Sequence, residues 1–238
     1  MKAQESRQKK IYPGIYLTGI LLFALSIIAF WPVYFSKLGQ VRFTLHLHSI
    51  LAILWILLLI TQSWLAKNLA FSRHKLVGKL TYIVAPLFIL FSFILFHDFM
   101  NSDTTFSKQL GPRITFYDMS GMLYFTAAYI LAVTVYKKKM QIHARLMIST
   151  IILMMFPVVS RVFLFYADFG MGPVQILELT IYIVDALVLL LIIMDWRKGK
   201  IYPVFPILFA VSIFQHFGFV YSDNWVAWRN FLDWFSSL

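Results

Sequence analysis

FTLHLHSILAILWILLLITQSWLA, residues 43–66, runs without one charged side chain. A bilayer's hydrocarbon core takes about 20 apolar residues as a helix, so this stretch reads as one membrane crossing. Working outward, runs of the same kind occupy 11–35, 77–96, 114–136, 142–166, 173–194 and 201–221. Lipid offers no hydrogen-bonding partner to an open backbone, which makes each run a helix. The fold expected is all-α: a polytopic bundle of about seven transmembrane helices, with short connections that make consecutive spans antiparallel neighbours. Residues 1–221 form one bundle domain. The seventh run is the least regular, since it holds Pro203, Pro206, Gln215 and His216.

Composition agrees with this. Only 13% of the 238 residues are charged, against about 25% in an ordinary soluble domain. The net charge of +11 would point to nucleic acid in a soluble chain. Here the cations sit in short loops between apolar runs, so they report orientation and exclude nucleic acid as a partner. The first apolar run is too long for a signal peptide and is expected to remain as an uncleaved helix. With no cysteine, a thiolate metal site, an iron–sulfur cluster and a covalently attached c-type haem are excluded.

Fifteen of the 21 basic residues fall on the N-terminal side of the alternating spans: Lys2, Arg7, Lys9, Lys10; Lys67, Arg73, Lys75, Lys79; Lys137, Lys138, Lys139, Arg145; and Arg197, Lys198, Lys200. That bias puts the N-terminus in the cytoplasm and the protein in the plasma membrane, the inner membrane of a bacterium. The same loops are expected to meet anionic lipid. Beyond the last span, Trp225, Trp228, Phe231, Leu232 and Phe235 recur at helical spacing. Residues 222–238 therefore read as an amphipathic helix, either lying in the outer interface or lidding the bundle. Lys10-Ile-Tyr-Pro13 before span one and Lys200-Ile-Tyr-Pro203 before span seven form a faint repeat.

Ionisable groups inside spans cost roughly 2.5–3.5 kcal/mol at a helix centre, so each needs a partner or a function. Counting from the span ends, Arg161 and Glu178 lie at matching depth on adjacent antiparallel helices and are expected to form an ion pair. His46, His48, His97, Asp118 and His216 fall on the same outer shelf. Imidazole and carboxylate ligate zinc, iron and copper, and paired imidazoles ligate haem. His46, His48, His216, Asp118 and Glu178 are thus the metal candidates. His46 and His48 lie about 200° apart around a helix, so one ion cannot readily take both. His48 is favoured as the inward residue.

Glu178, Tyr182 and Asp185 share one face of span six and form a candidate proton or ion path. At the basic end, His74 and His143 open spans three and five and are able to meet. With His48 and His97 they complete the set of cofactor-binding candidates.

His46-x-His48 at a helix start, Gln62 near its end, His74-Lys75-x-x-Gly78, and His143-x-Arg145-x-Met147 together resemble an uncharacterised bacterial multi-helix membrane family, across roughly residues 31–161. That resemblance implies membership without an activity. Histidines near both faces are also similar to the cytochrome b561 class, which implies haem. His48, Ser49 and His216 resemble parts of the ceramidase and progestin–adiponectin receptor superfamily, which implies intramembrane zinc. This chain lacks a deep His pair and a His-x-x-x-His in span seven. The leading expectation is a metal or haem site in the outer half for redox or assembly chemistry. One alternative is a zinc-dependent lipid hydrolase, with Asp118 or Glu178 activating water. The other is a proton-coupled carrier using the acidic stripe of span six. No motif names a protein partner.

Overall fold

The computed structural model describes Tyr12 and residues 14–238, all of them helical or connecting. Lys2, Arg7, Lys9, Lys10 and the opening of the first apolar run lie outside the described residues. Among the described residues six helices are long and apolar enough to cross a membrane, so this is a polytopic helical membrane protein. A shorter apolar helix, α1 (Ile15–Phe30), precedes them. Its 16 residues rise about 24 Å, less than the roughly 30 Å of a hydrocarbon core. Pro32 cuts it short, because it has no N–H to give the carbonyl of Ile28.

The spans then run as α2 (Phe43–Lys67), α3 (Phe71–Gly78) leading into α4 (Thr81–Met100), α5 (Thr105–Val135), α6 (Met140–Leu153) with α7 (Met155–Tyr166), α8 (Pro173–Arg197) and α9 (Val204–Tyr221). A last helix, α10 (Val226–Ser236), is too short to cross. α5 starts nine residues earlier than its apolar run, capped by Thr104, whose hydroxyl accepts from Ser107 N–H at 3.2 Å.

Around the bundle the neighbours run α1, α2, α4, α5, α9 and α8. The fifth span, α6 with α7, packs against α1, α2, α5, α8 and α9, and so occupies the centre. Two apolar clusters meet on it. One joins α5, α6, α8 and α9, and the other joins α1, α2, α4, α5 and the fifth span. Outward faces carry large exposed apolar residues such as Leu17, Leu54, Ile83, Leu123 and Leu190, as a lipid solvent allows. Small residues let backbones close up. A Cβ on Gly19 of α1 would stand 2.7 Å from Ile60 of α2.

The central span is not one continuous helix. Pro157 offers no N–H to Leu153, and the helix breaks at Met154, whose own N–H turns back to Ile151 O at 3.0 Å. The break falls midway along the span.

α10 lies back on the bundle. Trp228 Nε1 donates to Pro112 O at 3.0 Å, Asn101 Nδ2 donates to Ser236 O at 3.0 Å, and Arg113 pairs with Asp223. Of the two readings of the tail, the lid is the one these contacts support.

Candidate functional site

Arg161 stands on α7, one turn beyond Pro157. Its Nη1 donates to Pro157 O at 2.9 Å, and its guanidinium carbon lies 4.6 Å from the Phe30 ring centre. The expected ion pair with Glu178 is not formed among the described residues; Arg161 is instead coupled electrostatically to Asp118 of α5 and to His48 of α2. Arg161 instead meets the ring of Phe30 on α1. Arg161 and Asp118 form no salt bridge among the described residues. Both are ringed by protein and yet remain partly accessible. Asp118 accepts no hydrogen bond from a described residue, and neither its oxygens nor the free guanidinium donors are sealed from a water-sized molecule.

Ser92 spends its hydroxyl proton on Phe88 O at 2.7 Å. Its oxygen therefore accepts from His48 Nδ1 at 3.3 Å, which leaves Nε2 of His48 as a free acceptor. The Phe88 ring lies 5.2 Å away.

A second carboxylate stands nearby. Asp185 of α8 accepts from Ser212 of α9 and feels the charge of His216, whose ring meets Tyr182 at 4.8 Å. Tyr117 lies within the fields of both Asp118 and Asp185. Its backbone oxygen is held by Gln215 Nε2 at 2.8 Å, and Gln215 is only 1% exposed. Polar groups from α2, α5, α7, α8 and α9 thus follow one another through the bundle, with Tyr117 between the two acids. Of the span-six stripe, Asp185 enters this series, Tyr182 is exposed, and Glu178 makes no ion pair among the described residues.

The metal candidates do not converge. No three His, Asp or Glu side chains among the described residues gather about a common point. His46 Nε2 donates to Leu38 O at 3.0 Å and its Nδ1 accepts from Tyr34 Oη at 3.1 Å, on the loop side of its helix. His97 is taken up by Asn101 at 3.1 Å and by the ring of Phe235. The physical reason is angular: residues at one depth on different helices share a level without sharing a direction.

At the basic end the two cofactor candidates are held alike. His74 Nδ1 meets Gln62 O at 3.2 Å, and His143 Nδ1 meets Ala132 O at 2.9 Å. Each Nε2 is left free, and the rings are close enough to interact electrostatically. Gln62 Nε2 donates to His74 O at 3.0 Å, while its buried Oε1 has no partner.

Asp195 escaped the sequence reading altogether. It sits at the end of α8 and binds Arg145 through two bonds, Nε to Oδ2 at 2.7 Å and Nη2 to Oδ1 at 2.5 Å. Tyr12 adds a hydroxyl to Oδ1 at 2.6 Å, and burial together with that bond pushes its proton affinity up. Tyr202 covers the guanidinium at 3.8 Å and Tyr12 at 5.5 Å. The signal was the faint Lys-Ile-Tyr-Pro repeat, because its two tyrosines are the two that flank Arg145. Comparisons with protein-family models, with curated proteins and with solved structures return no match to this chain.

Proposed function

We propose that the chain is a proton-coupled carrier of the plasma membrane, crossing it seven times with α1 as the first span and the N-terminus in the cytoplasm. The observation that carries this reading is the break of the central span at Met154, beyond which its outer half carries Arg161 without an ion pair among the described residues. Interrupted helices at mid-membrane are where carriers build binding sites, since a break lets one half-helix move against the other. Charged groups in a bilayer face a water-filled cavity or a partner, and Asp118, Asp185 and Arg161, none of them in an ion pair among the described residues, line such a cavity in this scheme. Asp118 and Asp185 are the proton-exchanging carboxylates in this scheme, with Tyr117 between them. The alternating bias of Lys and Arg supports the orientation.

A second reading, a bis-imidazole haem or metal site, is favoured by one observation: His74 and His143 both anchor Nδ1 on a main-chain carbonyl and leave Nε2 free. Ligating histidines are held in that way. The likeness to an uncharacterised multi-helix family is compatible with either and adds no activity.

Proteoliposomes loaded with a pH-reporting dye, together with the absorption spectrum of the same preparation, separate the two. The carrier reading expects solute-dependent proton flux across a panel of small organic solutes, reduced at least tenfold in folded Asp118→Asn. A wild-type protein without such flux, or flux indifferent to Asp118→Asn, contradicts it. A Soret band abolished by His143→Ala would establish the second reading instead.

A further inference from the structure

We infer that the groove between α4 and α5 is a binding site for an anionic phospholipid, which lays one acyl chain in the groove and sets its headgroup among the lysines at the basic end. The site does not depend on whether the chain carries a solute.

The groove has a volume of about 420 Å³ and is walled by one face of each helix. Pro86, Leu90 and Phe93 come from α4, and Thr126, Tyr129 and Ile130 from α5. Spacings of three, four and seven residues keep each set on a single face. Leu90 and Ile130 are half exposed and form the two rims, while Tyr129 is buried and forms the floor. The hollow is there because two short side chains, Pro86 and Thr126, stand among long ones. It is also firmly backed. Trp55 meets Tyr129 with ring centres 5.7 Å apart, and Phe88 of α4 packs on Phe125 of α5 at 5.3 Å.

The lining selects hydrocarbon. Thr126 spends its hydroxyl proton on Met122 O at 2.8 Å, and the hydroxyl of Tyr129 is sealed inside the protein. No charged side chain borders the groove. A polar solute would give up its hydrogen bonds to water and find none in exchange. A hydrocarbon chain instead gains close contacts on a preformed surface, and the volume falls in the roughly 300–1,000 Å³ range of ligand sites.

Depth and charge identify the source of that chain. Pro86 and Phe93 lie five and twelve residues past Thr81, the start of α4, which is about 8 and 18 Å along the axis. Ile130 and Thr126 lie five and nine residues before Val135, the end of α5. A hydrocarbon core is about 30 Å thick, so the groove belongs to the leaflet at the basic end, the cytoplasmic one in the orientation proposed above. Both walls end there in cations. Lys79 precedes α4, and Lys137, Lys138 and Lys139 follow α5; all are exposed, and none is in an ion pair among the described residues. The one acid at that end among the described residues is Asp195, which Arg145 already holds. Tyr82 and Tyr136, both exposed, flank the same end, where aromatic rings meet headgroups. An anionic headgroup answers these lysines, and a neutral isoprenoid or a free alkane does not.

The test titrates detergent-purified protein with dioleoyl phosphatidylglycerol or dioleoyl phosphatidylcholine and reads bound lipid by native mass spectrometry. Phosphatidylglycerol is expected to bind about tenfold more tightly. Ile130→Trp, which fills the groove from one rim, lowers that affinity roughly fivefold. Leu190→Trp, exposed on α8 and remote from the groove, leaves it unchanged. Leu90→Trp on the opposite rim gives the same loss, so misfolding of one variant leaves the test intact. Replacing Lys79, Lys137, Lys138 and Lys139 by Gln brings the two lipids to nearly equal affinity without weakening phosphatidylcholine. Equal affinity for both lipids in the wild type overturns the inference. So does undiminished phosphatidylglycerol binding in folded Ile130→Trp and Leu90→Trp. An isoprenoid quinone retained through the groove in place of phospholipid also overturns it, since the groove would stand and its inferred occupant would not.

Discussion

Asp195→Ala lowers the unfolding free energy of the detergent-solubilised protein by about 3–5 kcal/mol, the usual cost of stranding one partner of a buried ion pair. Arg145 is 3% exposed and Asp195 1%. Their two bonds at 2.5 and 2.7 Å leave no room for water to take the carboxylate's place. Without Asp195 the guanidinium keeps Gln141, through Nη1 to Oε1 at 2.8 Å, and the faces of Tyr12 and Tyr202. None of these neutralises it. Tyr12 also loses its acceptor, so the segment before α1 comes away from α8. The double variant Arg145→Met/Asp195→Leu is expected to recover most of the loss, since a well-packed apolar pair avoids desolvating two ions. Denaturation monitored by circular dichroism checks both. An Asp195→Ala protein within about 1 kcal/mol of wild type would mean the pair is wet and weak.

The second large effect is steric. A Cβ added at Gly218 of α9 would fall 1.8 Å from Phe116 Cε1, 2.1 Å from Cδ1 and 2.6 Å from Cζ. No rotamer of alanine relieves such an overlap, so the ring must move. Phe116 is hemmed in by Phe214, Trp225 and Trp228, with ring centres 5.4, 5.3 and 5.2 Å away. Gly218→Ala therefore costs about 3 kcal/mol, at the upper end for overpacking, and loosens α10 from α5. A red-shifted tryptophan emission accompanies the lower melting temperature. Phe116→Leu in the same chain makes room and restores both. A Gly218→Ala protein with unchanged melting would contradict the close approach of α9 and α5.

Much of this architecture is legible along the chain because lipid imposes length and apolarity on every crossing. Long apolar runs mark the six long helices, and the periodic tryptophans mark α10. Three features escape for physical reasons. Ile15–Phe30 is shorter than the apolar run around it, because Pro32 ends the helix while apolarity continues past it. The depth expected of Arg161 and Glu178 follows from counting residues. Direction follows from how each helix is rotated, which is set by packing with helices far away in sequence. That same rotation sends His46 to Tyr34 and Leu38 while His48 meets Ser92. Asp195 was hidden because an acid beside Arg197 and Lys198 looks like one more loop charge. Only the fold brings Arg145, some fifty residues earlier, onto it.

The chain has no cysteine, so a single introduced thiol reports on one position alone. Asp118→Cys in proteoliposomes, treated with a charged methanethiosulfonate that cannot enter lipid, asks directly whether water reaches the proposed cavity. Reaction within minutes is predicted, with Leu123→Cys on the lipid-facing side inert under the same conditions. An Asp118→Cys protein that stays unmodified while folded would mean that no aqueous crevice exists there.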